Sequence, residues 1–320
     1  MLEPDLSKLL RNYILGVVNP NERSYVKNLL LYDAEARIEF EKIGMYYPQK
    51  FEYFKLQNSI QQVGEDEFNT LAGSVLQYQL ENNEILRRYV GVLKSSQLSS
   101  YGILLNSFLP VELFKSNIIK SGAWLAEDFF LSSGTLGQIR SRHEVRDLNW
   151  YRENSWRIFS KHILNSLNIE FNSLNIFGLL PGYIDNQHSS LLSMLNGFGL
   201  KSDVDPAAMF FNNMESLYQN IILALKEGKK IILFGVSFAL LDFGLKYSIH
   251  DSDLFIIETG GMKTDRRSLT KNEILERLQF AFSNSKIMSE YGMTELFSQA
   301  YALDGINYIC PNTMRIVITE

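Results

Sequence analysis

From about residue 128 onward the chain alternates short apolar runs with helix-period stretches, and this alternation restricts the fold more than any other feature. Runs at Leu174–Leu180, Lys230–Gly235, Leu254–Ile257 and Ile287–Tyr291 are bounded by Gly, Pro or Asp. Between them lie stretches of helical character, roughly 149–166, 189–197, 213–227, 237–246 and 271–283. Thr270 followed by Glu273 is a capping-box signature that opens the last of these. Strands joined through helices run parallel, so the pattern predicts an α/β fold with a mainly parallel sheet covered by helices. No internal repeat, low-complexity tract or long linker is visible.

The first part of the chain reads differently. Residues 22–95 have the spacing of several amphipathic helices, with Phe68 to Tyr89 as the clearest example. The tract Phe51–Gln62 and the loop Gly64-Glu65-Asp66 mark a break. The expected division is an N-terminal helical region over 1–65 and an α/β domain over 66–320. With 46% hydrophobic residues in 320, the chain can bury a substantial core.

Charge and cysteine content exclude some classes. Thirty-one basic against 36 acidic side chains give a net charge of −5, which argues against nucleic-acid or anionic-membrane binding. The longest apolar run, Ile231 to Leu245, is too short for a bilayer and contains Asp242, so no transmembrane segment is expected. Glu3 and Asp5 stand where a secretory signal would carry basic residues. Cys310 is the one cysteine, so an internal disulfide is impossible, and a soluble cytoplasmic protein is expected.

Three segments carry candidate chemistry. Ser132-Ser133-Gly134-Thr135-Leu136-Gly137 is a hydroxyl-rich glycine loop whose backbone N–H groups can converge on a polyphosphate. It lacks the Gly-Lys-Ser/Thr ending of a Walker loop, and a solvated Ser/Gly turn is the plainer reading. Arg140, Arg142 and His143 add positive charge just downstream. The loop Glu258-Thr259-Gly260-Gly261-Met262-Lys263 follows the apolar run 254–257, where ligands of open α/β sheets collect and a Gly-Gly pair allows close backbone approach, or is simply a strand-to-helix turn. After the run 287–291 comes Tyr291-Gly292-Met293-Thr294-Glu295. There a ring that stacks on a base, a hydroxyl for a phosphate and a carboxylate for a hard cation succeed one another. Thr294 also reads as the cap of a helix over 295–303.

These segments resemble those of one family. FFLSSGTLGQIRSRH (129–143), HSSLLSM (188–194), ETGGMK (258–263) and SEYGMTELFSQAY (289–301) resemble the acyl-protein synthetases of the bioluminescence fatty-acid reductase system, in family order. The stretch YQLENNEILRRYV (78–90) is similar to the helical lead-in of that family, a branch of the adenylate-forming superfamily.

The resemblance implies an α/β fold of stacked parallel-sheet subdomains with a nucleotide cleft between them. It also implies ATP-dependent activation of a fatty acid or related carboxylic acid as an acyl-adenylate. The acyl group would then pass to a thiol of a protein acceptor, with a reductase as a further partner. Ser132, Ser133, Gly134, Thr135 and Gly137 would cradle the phosphates, Gly260 and Gly261 would lie against the adenine, and Tyr291, Gly292 and Met293 would border it. Thr294 would contact the α-phosphate and Glu295 would hold Mg²⁺. His188 would contact the acyl carboxylate, or be structural.

The sequence departs from the family at Leu136, which stands where a second Thr is usual. The small C-terminal domain with its catalytic lysine, the ribose-gripping aspartate and an acylated cysteine cannot be placed in 296–320. That leaves two alternatives open: a weak or inactive nucleotide-binding homologue acting as a partner subunit, and an acyl-CoA ligase. Cys310 reads as a small buried residue in a turn before a terminal strand over Met314–Thr319. Met209–Phe211 and Phe234–Phe238 read as aromatic core or as the wall of a lipophilic pocket.

Overall fold

The three-dimensional structure is a computed structural model, and it describes residues 6–93, 108–132, 139–181, 183, 187–200, 208–210, 213–260 and 269–318. The chain divides into two compact units. The first comprises Met1–Phe129, His143–Asp147 and Ile316–Glu320, and the second Phe130–Arg142 and Leu148–Arg315. The first unit therefore takes in the expected helical region 1–65 and also residues 66–129, which the sequence reading assigned to the α/β domain.

In the first unit, helices α1 (Leu6–Leu15), α2 (Pro20–Tyr32), α3 (Ala34–Gly44) and α4 (Pro48–Gln62) pack around one apolar cluster. α1 buries Leu9, Leu10, Tyr13 and Ile14, a stripe at helical spacing. Asn19 and Glu22 form a capping box at the start of α2, and Asp33 caps α3 through the Glu35 and Ala36 amides. Tyr13 stacks on Phe54 with ring centroids 5.3 Å apart. The Arg146 guanidinium lies 3.7 Å from the Tyr53 ring centroid.

The periodic stretch 68–89 is not one helix. α5 (Phe68–Asn82) and α6 (Glu84–Leu93) are separated at Asn83, whose side chain accepts a hydrogen bond of 3.1 Å from the Leu86 amide. Asparagine competes with the helix for its own backbone donors, so the apolar period continues while the helix restarts. A short helix α7 (Leu113–Ser116) follows. Strands β1 (Asp128–Leu131) and β2 (Arg142–Val145) pair as a two-stranded sheet.

The second unit carries the predicted α/β pattern. Its elements are α8 (Leu148–Phe159), α9 (Asn165–Leu167), β3 (Leu174–Leu179), α10 (Ser190–Gly199), β4 (Ala208–Phe210), α11 (Met214–Lys226), β5 (Lys230–Val236), α12 (Ser237–Lys246), β6 (Leu254–Thr259), α13 (Lys271–Ala281), β7 (Lys286–Tyr291) and β8 (Ala300–Ala302). A π-helical segment, Ser160–Leu164, joins α8 to α9. The sheet order is β4-β3-β5-β6-β7-β8, parallel throughout except for β8, which runs antiparallel to β7. Among the described residues this is the one parallel sheet, so stacked parallel-sheet subdomains are not seen.

Ile231, Ile232, Leu233, Phe234, Leu254, Ile256 and Ile257 are fully buried, as strands covered on both faces must be. Phe234 packs near Phe159 and Phe198, so its ring is core. Right-handed crossovers put α10 on one face, with α8 against it, and α11, α12 and α13 on the other. The chain leaves β3 toward β4, then returns past it to β5. That reversal opens a crevice beyond the carboxyl ends of β3 and β5, where doubly wound sheets bind ligands.

Three expectations change. The segment after Thr294 is not a helix over 295–303: Leu296 donates to the Met293 carbonyl at 3.1 Å, and the chain then enters β8. Backbone pairing of Tyr291 with Ala300 and of Glu290 with Tyr301 outweighs the local capping preference. Met314–Ile318 forms no strand, the last two residues of the chain lying outside the described set. Cys310 is half-buried rather than buried. Among the described residues, no helix is long and apolar enough to cross a membrane.

Candidate functional site

The carboxyl ends of β5, β6 and β7, with the start of α10, enclose a cavity of about 630 Å³. Val236, Ser237 and Phe238 line it from the β5–α12 turn, and Glu258, Thr259 and Gly260 from the end of β6. Glu290 through Thr294 line it from β7 and its turn, with Ser189, Ser190, Leu191 and Met194 from α10. Leu131, Tyr151, Tyr183, Lys271, Gln299 and Tyr308 add to the wall. Its position is where the reversal in strand order predicts a ligand.

Gly260 is the clearest backbone device. Its φ is +79°, a conformation that L side chains rarely adopt, and a Cβ there would meet nothing within 4 Å. The result is bare backbone facing open space on a cavity wall, which suits a flat ring. Tyr291 stands at the rim, 43% exposed, its ring 6.1 Å from that of Tyr308 and its hydroxyl donating to Met293 Sδ at 3.1 Å. Gly292 makes room for a neighbour, because a Cβ there would stand 2.6 Å from Glu290 Oε1.

Glu295 sits just beyond this lining, where the Ser141 hydroxyl donates to its Oε1. Ser141 in turn closes the base of the glycine-rich segment. The Ser132 amide donates to the Ser141 carbonyl, and the Ser141 amide to Ser132 Oγ, both at 3.0 Å. Ser132 Oγ therefore accepts a hydrogen bond that links the residues flanking the segment. Ser133, Gly134, Thr135 and Gly137, like Gly261, lie outside the described residues. The His188 carbonyl accepts from the Leu131 amide at 2.9 Å, bringing that block beside β1. Ser189 and Ser190, rather than His188, face the cavity.

The turn bearing Thr294 and Glu295 is held from below. Asn154 of α8 donates to the Phe297 carbonyl at 2.7 Å, and the Phe297 ring packs against Phe130 and Tyr151. Among the described residues Glu295 belongs to no cluster of three or more potential ligands. A divalent cation here would need oxygens from a bound phosphate to complete its shell, as Mg²⁺ with nucleotides ordinarily does. One carboxylate beside an open cavity fits that requirement.

Two buried carboxylates were not singled out in the sequence. Glu258, on β6, is 2% exposed and pairs with Lys271, the first residue of α13. The Ser237 hydroxyl is placed to donate to Glu258 Oε1 or to the Gly260 carbonyl, 2.7 Å away. Glu290, on β7, is 6% exposed and accepts from the Thr259 hydroxyl. Among the described residues it has no cationic partner. Burial, with a smaller contribution from Glu258, pushes its carboxyl up to about 7, against the hydrogen bond from Thr259. Burial and the Glu290 charge also raise Tyr151, Tyr183 and Tyr301. A charged residue inside an otherwise apolar strand run was the available signal.

No family model matches the chain, and no curated protein matches it.

Proposed function

We propose that the second unit binds ATP and a carboxylic acid in this cavity and joins them as an acyl-adenylate. One observation carries the reading. Gly260 and Tyr291–Thr294 border a single cavity, while Glu295 is hydrogen-bonded to the serine that closes the glycine-rich segment. Nucleotide ring and phosphates would thus meet at one end of the sheet.

The carboxylate oxygen of the acid bonds to the α-phosphorus, and the bond to pyrophosphate breaks. Because two anions must approach, catalysis here is positioning plus charge neutralisation. Gly260 receives the adenine against bare backbone, and Tyr291 covers it from the rim. Thr294 orients the α-phosphate, and the resemblance would give the outgoing phosphates to Ser133, Gly134, Thr135 and Gly137, which lie outside the described residues. Glu295, fixed by Ser141, would hold Mg²⁺, and the chemistry it would supply is neutralisation of the phosphate oxygens. The acyl group then passes to a thiol as AMP leaves. Cys310 is not among the cavity-lining residues, and the acceptor in this reading is the thiol of a partner protein.

Incubation with ATP, Mg²⁺, hydroxylamine and a panel of carboxylic acids tests the proposal. Acyl hydroxamate and AMP form with at least one acid, and Glu295→Gln lowers both about a hundred-fold or more while the fold is retained. A panel that yields neither product with the wild-type protein rejects it.

A further inference from the structure

Two of the residues lining the cavity, Glu290 and Gln299, hold acceptor oxygens that the described residues do not fully answer with donors. Glu290 carries a carboxylate with no cation among the described residues, and its hydrogen bond comes from the neutral Thr259 hydroxyl. Gln299, 2% exposed, spends its amide nitrogen on the Tyr151 hydroxyl at 3.4 Å. Its amide oxygen is buried with no hydrogen-bond partner among the described residues. The Tyr151 proton is committed to the Ser190 carbonyl at 3.0 Å.

These groups are neighbours. The point where a Cβ would sit on Gly292 is 2.6 Å from Glu290 Oε1 and 3.8 Å from Gln299 Cγ. An orphaned amide oxygen beside a carboxylate that lacks a cation is costly unless a ligand supplies donors. A methyl-ended alkyl chain supplies none and would bury both acceptors deeper.

Resting on the reading of this cavity as an acid-activating site, we propose that its substrate is an amino-substituted carboxylic acid whose remote ammonium group is held by Glu290 and Gln299. An ammonium presents three donors and one positive charge, which answers the carboxylate and the amide oxygen together. Tyr151 walls the pocket but has no proton to offer, so discrimination against a neutral tail falls to the other two.

Calorimetry on the full chain decides it, using β-alanine, γ-aminobutyrate and ε-aminocaproate, each against the methyl-ended acid of equal length, and ATP separately. At least one ammonium acid binds about ten- to a hundred-fold more tightly than its methyl counterpart, the range expected of a charge-assisted buried contact. That preference collapses in Glu290→Gln and in Gln299→Leu, while ATP affinity is unchanged. Methyl-ended acids that bind equally well, or no binding by either set, overturn the inference. So does a Glu290→Gln variant whose loss falls on ATP, which would assign the pair to the adenine amino group. The wild-type comparison stands even where a variant fails to fold. An ammonium preference in a protein that binds no ATP keeps the inference and removes the activity proposal instead.

Discussion

Ser141 and Glu295, 154 residues apart in sequence, share a hydrogen bond that ties the end of the glycine-rich segment to the turn after β7. Ser141 also makes two backbone-level contacts with Ser132, so the link passes directly to the start of the loop. Glu295→Gln keeps an acceptor for Ser141 and removes only the charge. Turnover is expected to fall about a hundred-fold or more with the fold intact, in the range for lost electrostatic stabilisation. Ser141→Ala keeps the charge and frees the side chain. It should cost about 1 kcal/mol in denaturant unfolding, with a smaller loss of turnover. Equal effects of the two on turnover would mean that Glu295 acts through the loop alone.

Gly260 provides a second test. Replacement by valine puts a branched side chain at φ +79° and fills the space beside the backbone. Strain there costs about 1–2 kcal/mol of stability. ATP affinity should fall about ten-fold or more, roughly 1.4 kcal/mol or above by calorimetry. Unchanged ATP affinity in a folded variant would remove Gly260 from the nucleotide site.

Glu290 predicts a pH dependence of stability. Its carboxyl titrates near 4.5 when unfolded and about 7 when folded. Between those values the folded state holds the extra proton, so stability from this group is full below about 4.5 and is lost as pH rises through 7. The loss is on the order of 3 kcal/mol for a shift of this size. The charged and titratable groups around it are Glu258 on β6, Tyr301 on β8, Tyr151 on α8 and Tyr183 after β3. Glu290→Gln should therefore flatten the difference in unfolding free energy between about pH 5 and pH 8. A variant with the full wild-type difference would contradict the assignment.

Lys271 neutralises Glu258, which is 2% exposed. Lys271→Met leaves that carboxylate buried without its cation and should destabilise by about 1–3 kcal/mol, less than for a fully buried pair because the lysine is partly exposed. Adding Glu258→Gln should restore most of the loss. Chemical denaturation of the single and double variants measures both steps; no recovery in the double variant would mean that the pair is not the cause.

The sheet was legible because each buried strand leaves a short apolar run and each crossover a helical period. β3, β5, β6 and β7 fall within two residues of the runs read from the sequence. β6 outlasts its run because Glu258 and Thr259 stay in the strand, their burial supported by Ser237, Lys271 and Glu290 from other segments. No local pattern announces such partners, so Glu258, Glu290 and Gln299 were quoted within their segments but given no role. Gly260 and Tyr291–Thr294 were legible as turns following strands. The helix assigned to Thr294 was misread for the opposite reason, since a local cap signal lost to pairing of β8 with β7.

The most direct measurement is exchange of labelled pyrophosphate into ATP by the full chain, with Mg²⁺ and a carboxylic acid present. Exchange requires reversible formation of an adenylate in one site. Exchange that depends on the acid, and that falls about a hundred-fold or more in Glu295→Gln, is the predicted result. ATP bound at the cavity with no exchange under any acid, or exchange that proceeds without acid, would contradict it.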